Sequence, residues 1–362
     1  MLIEDRRRLV RDKVEHLARA GHSTERFWQE AANALRLVVP FDFHPCWFTL
    51  DPEHLVITGH FNPGMTETPH EIVRSQYAET DVNAFTDLAR RRVPAATVTG
   101  ETGGDPAASW RWQHLLAPRG FDDALDAVLR VRGTAWGALS LLRAAGEQPF
   151  RDADVRFVAQ LSPALAAGTR LGLMLHPAQS PADDTSPAVL LVAGDLSLTS
   201  ATPGAERWLA DLPDTSPHRP GRLPVPVQVA VVRAVTAADG ETALRLRARS
   251  GTWVRIHAAT LTGDQAGQVA VVVEPAQPGL VAPLVLRAHG LSERERDVVT
   301  LVLRGLSTEQ IARALFVSPY TVQDRLKSVF EKVGVRSRRD LVARLRLEWA
   351  GQALSTSEPR EP

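Results

Sequence analysis

The sequence predicts a multidomain chain: two α+β modules followed by an all-α module of four helices. Three observations carry this. A length of 362 residues exceeds what one core usually holds, at roughly 100–200 residues per domain. Two Pro-rich stretches, His176–Pro187 (HPAQSPADDTSP) and Glu274–Gly279 (EPAQPG), interrupt the apolar patterning. The hydrophobic period mixes helix and strand before the second break and is purely helical after it. The expected divisions are a first module over 1–175, a linker over 176–187, a second module over 188–275, a linker over 276–290 and a helical module over 291–350. A disordered tail is expected over 351–362, which has nothing to bury.

In the first module, Leu9, Val10, Val14 and Leu17 share a helical face, and from Ser23 so do Phe27, Ala31, Ala34, Leu35 and Val38. The period then shortens. Cys46–Leu50 and Leu55–Thr58 read as a hairpin around Asp51-Pro52-Glu53, and Ala124–Val131 and Thr134–Leu142 as another around Arg132-Gly133. A closing helix from Asp152 to about Leu173 puts Val155, Val158, Leu161 and Leu165 on one side. The second module opens with the apolar run Val189–Val192, turns at Gly194-Asp195 and has a short helix around Glu206–Leu209. It ends in strands over Ala243–Arg249, Trp253–Leu261 and Gln268–Val273. No repeat of fixed period is visible, which excludes a solenoid.

The third module opens on a capping box, Ser292-Glu293-Arg294-Glu295, and ends its first helix near Gly305. Its apolar residues are Val298, Val299, Leu301, Val302 and Leu303. A second box, Ser307–Gln310, starts a helix that must end near Leu315 with Ile311, Ala312 and Leu315 inward. Ser318 is then a good N-cap, Pro319 sits where its missing N–H costs nothing, and a longer helix runs to about Val333. Ser337–Asp340 starts a fourth, with Leu341, Val342 and Leu345 on one face. Short helix, tight turn, longer helix is the helix-turn-helix, whose second helix is sized for a major groove. At 100° per residue Val322, Leu326, Val329, Phe330 and Val333 turn inward, leaving Tyr320, Asp324, Lys327 and Ser328 opposite and Thr321, Gln323 and Lys332 on the flanks.

Charge agrees with this assignment. The whole chain has 42 basic and 42 acidic residues, so basicity overall says nothing about nucleic acid. Residues 291–345 hold eleven basic and seven acidic side chains, a local excess of four that suits phosphate. Of the three lysines, Lys13, Lys327 and Lys332, two lie on the long helix.

Residues 291–345 resemble the LuxR/FixJ-type DNA-binding domain. The resemblance rests on Leu291-Ser292, Arg294-Glu295-Arg296, Gly305-Leu306-Ser307, Glu309-x-Ile311-Ala312, Leu315-x-Val317-Ser318, Thr321-Val322, Lys332-x-Gly334-Val335 and Ser337-Arg338. It implies a four-helix fold, a recognition helix over Ser318–Val333, a last helix that commonly makes a dimer contact, and DNA contacts at Gln323, Asp324 and Lys327. Two positions depart from the family: Gln323 stands at a frequent lysine and Arg325 at a frequent histidine. The amide of Gln323 suits adenine and the carboxylate of Asp324 a cytosine amino group. The DNA-binding set expected is Ser318, Tyr320, Thr321, Gln323, Asp324, Arg325, Lys327, Ser328 and Lys332. The first module resembles a GAF domain, with Trp136–Leu141 in its late strand, and the second a PAS domain; the fold expected is two α+β sensor-like domains before an all-α helix-turn-helix domain. Both families build a small-molecule cavity on one sheet face, so Tyr77, Phe85, Trp110, Trp112 and Trp136 are candidates to line one.

The expected function is that of a sequence-specific transcription regulator binding double-stranded DNA as a homodimer, with a small molecule or partner acting on its N-terminal part. RNA polymerase is a further candidate partner. The rival readings are a protein-interaction module on the transcription machinery and an enzyme with an accessory helix-turn-helix. No cofactor or metal is expected. His44-x-Cys46 with His54, His60 and His70 matches no ligand spacing, Gly100–Gly104 lacks the Lys-Ser/Thr of a phosphate loop, and Asp183-Asp184 lies in the linker, not after an apolar strand. No nucleophile–base constellation is visible, so no enzyme is expected. The single cysteine, Cys46, excludes an intramolecular disulfide and fits a reducing compartment as a small buried hydrophobe. Nowhere do about 18 apolar residues run together, so the expected location is the cytoplasm, away from the membrane.

Overall fold

The computed structural model describes residues 3–65, 68–175, 186–214 and 221–350. Most of the expected linker 176–187, Asp183-Asp184 with it, and all of the expected tail 351–362 lie outside the described residues. The chain divides into two units, one holding two antiparallel sheets and one holding the C-terminal helices.

The sheet unit begins with α1 (Ile3–Leu17) and α2 (Thr24–Leu35), followed by the hairpin β1 (Cys46–Leu50) and β2 (Ile57–Phe61). Next come α3 (His70–Tyr77), α4 (Phe85–Leu88), β3 (Ala95–Thr97) and α5 (Val98–Glu101), in a stretch where the sequence shows no clear period. The second hairpin, β4 (Phe121–Val131) and β5 (Thr134–Ala144), and α6 (Asp152–Leu175) complete the first module. The strand order is β2-β1-β5-β4-β3. Arg132 and Gly133 turn β4 into β5 with φ of 51° and 78°, the left-handed pair that a two-residue turn between twisted strands requires. Helices α1, α2 and α6 pack together, and Trp28 of α2 stacks on Trp47 of β1 at 5.6 Å while donating to Thr169 Oγ1 of α6 at 2.9 Å. Phe27 lies so close to Gly168 that a Cβ there would come within 2.2 Å of its ring. Leu9 departs from the expected apolar face of α1: Val10 and Val14 are buried, but Leu9 is 57% exposed.

The second module comprises β6 (Ala188–Ala193), β7 (Leu198–Ala201), α7 (Ala205–Asp211), α8 (Val225–Thr236), β8 (Glu241–Arg247), β9 (Trp253–Thr260) and β10 (Gln268–Pro275). Its order, β7-β6-β10-β9-β8, repeats that of the first sheet when strands are counted from each module's own start. Helix α8 is absent from the sequence reading because VPVQVAVVRAVT is rich in β-branched valine, which normally favours strands. Burial of most of its residues overrides that preference.

The two modules share one apolar core, running from Phe48 and Val73 through Val229 to Val271. Helix α8 packs on α3 and on β2. Beside it, Arg245 of β8 binds the buried Asp51 at 3.1 Å and Glu53 at 2.6 Å. His60 of β2 is fully buried, with Nδ1 2.9 Å from Thr68 Oγ1, which itself donates to Asp214 at 3.0 Å. Burial alone would lower the His60 pKa, but Asp214 and Cys46 favour the cation more strongly and raise it to about 9. A raised pKa contributes stability that is fully present below about pH 6.5 and disappears as pH rises through 9. The sheet unit is therefore expected to lose of order 3 kcal/mol across that window. Urea unfolding followed by tryptophan fluorescence checks this, and His60→Gln should flatten the dependence.

The helical unit consists of α9 (Pro278–Ala288), α10 (Glu293–Leu303), α11 (Thr308–Ala314), α12 (Pro319–Val333) and α13 (Arg338–Ala350). The stretch 276–290, expected as a linker, is mostly α9, whose Val281, Leu284, Val285 and Leu286 are buried. It packs on α13, and just beyond it His289 meets Glu348 at 2.7 Å. Of the two prolines that suggested a break, Pro275 ends β10 and Pro278 starts α9, where its missing N–H costs nothing.

Candidate nucleic-acid interface

Local hydrogen bonding builds this site from its ends inward. Both capping boxes form: Ser292 and Glu295 satisfy each other's backbone N–H at the head of α10, and Ser307 and Gln310 do so at the head of α11. Between α11 and α12 the chain turns through Phe316, held at φ 54° and 96% exposed. Ser318 then accepts from Thr321 N at 3.0 Å and starts α12, which ends at the left-handed Gly334. Arg338 donates to the Leu306 carbonyl and ties the start of α13 to the loop after α10.

The long helix buries Val322, Leu326, Val329 and Val333 and half-buries Phe330, as its period predicts. Tyr320, Gln323, Asp324 and Lys327 are exposed, with Thr321 and Arg325 half-buried beside them. Lys327 forms no ion pair among the described residues. Ser318 is exposed, but its hydroxyl is engaged by the helix cap and lies 2.9 Å from that of Thr321.

Two residues of the expected DNA-binding set, the half-buried Ser328 and the exposed Lys332, meet a carboxylate of α10. Ser328 donates to Glu295 Oε1 at 2.7 Å, and Lys332 Nζ reaches both oxygens of the same carboxylate at 2.7 Å. These contacts clamp α12 to the first turn of α10. Burial would raise the Glu295 pKa, but Lys332, Ser328 and the Ser292 amide outweigh it and hold the carboxyl at about 2. The sequence reading gave Glu295 its role in the cap but not its contacts with Ser328 and Lys332. The signal was there: a capping box commits one carboxylate oxygen to the backbone and leaves capacity for a second partner.

With this geometry in hand, comparison with known proteins is informative. Residues 289–345 match the family described as bacterial regulatory proteins, luxR family (GerE). The C-terminal domain is a luxR-family helix-turn-helix. HTH-type transcriptional regulators of Mycobacterium bovis and Mycobacterium tuberculosis are each 56% identical to this chain over 52 residues. That stretch is 14% of this chain and only 6% of those relatives' length, so the likeness belongs to the luxR-family domain alone. Among solved structures, VqmA of Vibrio cholerae in its ligand–DNA complex is 18% identical, with 46% of this chain and 85% of that chain covered. Its TM-score of 0.22 is too low to carry structural argument. The luxR-family assignment stands on the sequence match and the helix geometry together.

Upstream of the luxR-family domain, the five aromatic candidates for a cavity separate. Phe85 lines a cleft between α3 and the first sheet. Tyr77 instead accepts from Ile57 N at 2.7 Å, Trp110 stacks on His114, Trp112 donates to the Asp122 carbonyl and Trp136 is buried elsewhere. Cys46 is buried as expected and also borders the cleft, accepting from Asn62 at 3.2 Å. The histidines do not converge. His60 is internal, His70 sits beside Glu71, and His54 joins Asp51 and Glu53, whose carboxylates hold Arg245. Gly100–Gly104 runs from α5 into the left-handed Gly103 and Gly104. No helix among the described residues is long and apolar enough to cross a membrane.

Proposed function

We propose that the chain is a sequence-specific transcription regulator that reads double-stranded DNA with α12, as a homodimer on two half-sites, under the control of sensor modules upstream. The observation that carries this is the division of α12 into a buried apolar side and an exposed polar one, with Glu295 clamping the helix. In this reading Gln323 and Asp324 contact base edges, Lys327 and Arg325 contact phosphate, and Tyr320, Thr321 and Ser318 lie at the groove. Ser328 and Lys332 hold the helix in place. The repeated strand order supports assigning 1–175 and 188–275 as GAF-like and PAS-like sensors, and the location proposed is the cytoplasm.

A salt titration on duplex DNA selected by this protein tests the reading. Lys327→Ala is expected to weaken binding to all sequences and reduce the slope of log K against log salt by about 1. Gln323→Ala should relax one base position at a cost of about 1–3 kcal/mol. An unchanged slope and unchanged specificity in both would remove the assignment of α12. One observation favours the rival reading of a protein-contact module: Phe316 is 96% exposed at the turn. A salt-insensitive response, with affinity lost on Phe316→Ser, would support that reading instead.

A further inference from the structure

Successive residues of a strand face opposite sides of its sheet. Cys46 and Phe48 border the cleft beneath α3, so Trp47 between them points the other way, where it stacks on Trp28 of α2. On that side α2 and the hairpin β1–β2 enclose a recess of about 210 Å³. Its α2 wall is one helical stripe, Gln29, Ala32, Asn33 and Arg36, at the i, i+3, i+4, i+7 spacing. Phe61, Pro63 and His44 form the opposite wall.

Both walls are fixed from behind. The fully buried Asn62 donates to the His44 carbonyl at 2.8 Å and accepts from Gly64 N at 2.8 Å, which ties the ends of the hairpin together. Arg36 donates to the carbonyls of Phe41 at 3.0 Å and Phe43 at 3.5 Å, and its guanidinium lies 4.2 Å over the Phe41 ring. A preformed recess of apolar surface with a few placed polar groups is the usual form of a small-molecule site.

Charge sets the class of ligand. The two carbonyls orient the Arg36 guanidinium without neutralising it, and it forms no ion pair among the described residues. No acidic side chain borders the recess among those residues. The amides of Gln29 and Asn33 stand one turn apart on the same stripe, and neither side chain hydrogen-bonds to the described residues. An anion entering here meets a net positive charge and donors already placed, which offset its lost hydration. A bare inorganic anion would leave the apolar wall uncovered, and a hydrocarbon would cover Arg36 and both amides without bonding them. A cavity of roughly 150 Å³ holds benzene, so 210 Å³ admits one ring with a carboxylate.

We infer that this recess binds a small organic monoanion, a carboxylate on an apolar body of about one ring. Arg36 holds the carboxylate, Asn33 and Gln29 add donors, and Phe61 and Pro63 cover the body. The site deepens the sensor reading proposed above and rests on it.

Benzoate, toluene and inorganic phosphate test it with the full chain, followed by ligand-observed NMR and calorimetry. Benzoate is expected to bind at least tenfold more tightly than toluene or phosphate. Arg36→Met should remove its advantage over toluene while toluene affinity is retained. Ala32→Phe, which leaves Arg36 and its carbonyl bonds in place, should fill the recess and weaken benzoate at least tenfold. Toluene or phosphate binding as tightly as benzoate, no binding of benzoate, or benzoate affinity unchanged in either variant would each overturn the site. DNA binding measured in parallel separates the two readings. Failure of benzoate with salt-dependent DNA binding intact removes the ligand site alone, and the converse removes the regulator reading alone.

Discussion

Replacing Glu295 with alanine is expected to destabilise the C-terminal domain by about 2–3 kcal/mol, more than any single exposed substitution on the recognition helix. Its carboxylate accepts from Ser292 N at 2.6 Å, from Ser328 Oγ at 2.7 Å and from Lys332 Nζ at 2.7 Å. Hydrogen bonds to a charged group contribute about 1.5–3 kcal/mol each when well buried, but the partial exposure of Lys332 reduces its share. Glu295→Gln retains the cap and loses the charge, so it should fall between wild type and alanine. The sign of the pH dependence is fixed by the depressed pKa of about 2: this stabilisation is present above about pH 4.5 and disappears as pH falls through 2. Hydrogen exchange of the α10 and α12 amides in the full chain measures both effects. Equal protection in wild type, Gln and Ala variants would show that the clamp contributes nothing.

That clamp illustrates how far the sequence speaks for the structure. The helical domain was legible almost residue by residue, because its information is local: Ser292, Ser307 and Ser318 cap helices that their own next three residues complete. The long hairpin over Arg132-Gly133 was legible for the same reason. What remained hidden depends on residues distant in the chain. Helix α8 goes unread because its valines favour strands until the apolar surfaces of α3 and β2 are there to bury them. The contact of Lys332 with Glu295, 37 positions earlier, is likewise invisible until the two helices are brought together. The aromatic residues that sequence composition offered for the cleft mostly serve the core. The better signal was Asp126, a charge placed within the apolar run of β4, since a carboxylate inside a strand core requires a partner.

Removing that partner is expected to produce the largest single-residue effect in the sheet unit. Arg111 binds both oxygens of the fully buried Asp126 carboxylate; Arg111→Ala leaves it with only the Asn83 amide at 3.2 Å among the described residues, and breaking a buried pair from one side costs about 3–5 kcal/mol. Asp126→Ala should be comparably damaging, since it strands the guanidinium and releases Asn83. Replacing both partners with apolar residues, Arg111→Met/Asp126→Leu, is expected to restore the unit to within about 1–2 kcal/mol of wild type, the residue of the loss being the unpaired Asn83. Urea unfolding of the four proteins, read by tryptophan fluorescence, gives the cycle. A coupling energy near zero would mean that the pair is not formed in solution. A double variant as unstable as Arg111→Ala would instead make the pair an element of the fold, leaving stability a sufficient reason for a charge inside this sheet. Recovery of stability would show that the pair contributes no more to folding than apolar side chains of similar volume, because the cost of taking two charges out of water offsets their attraction.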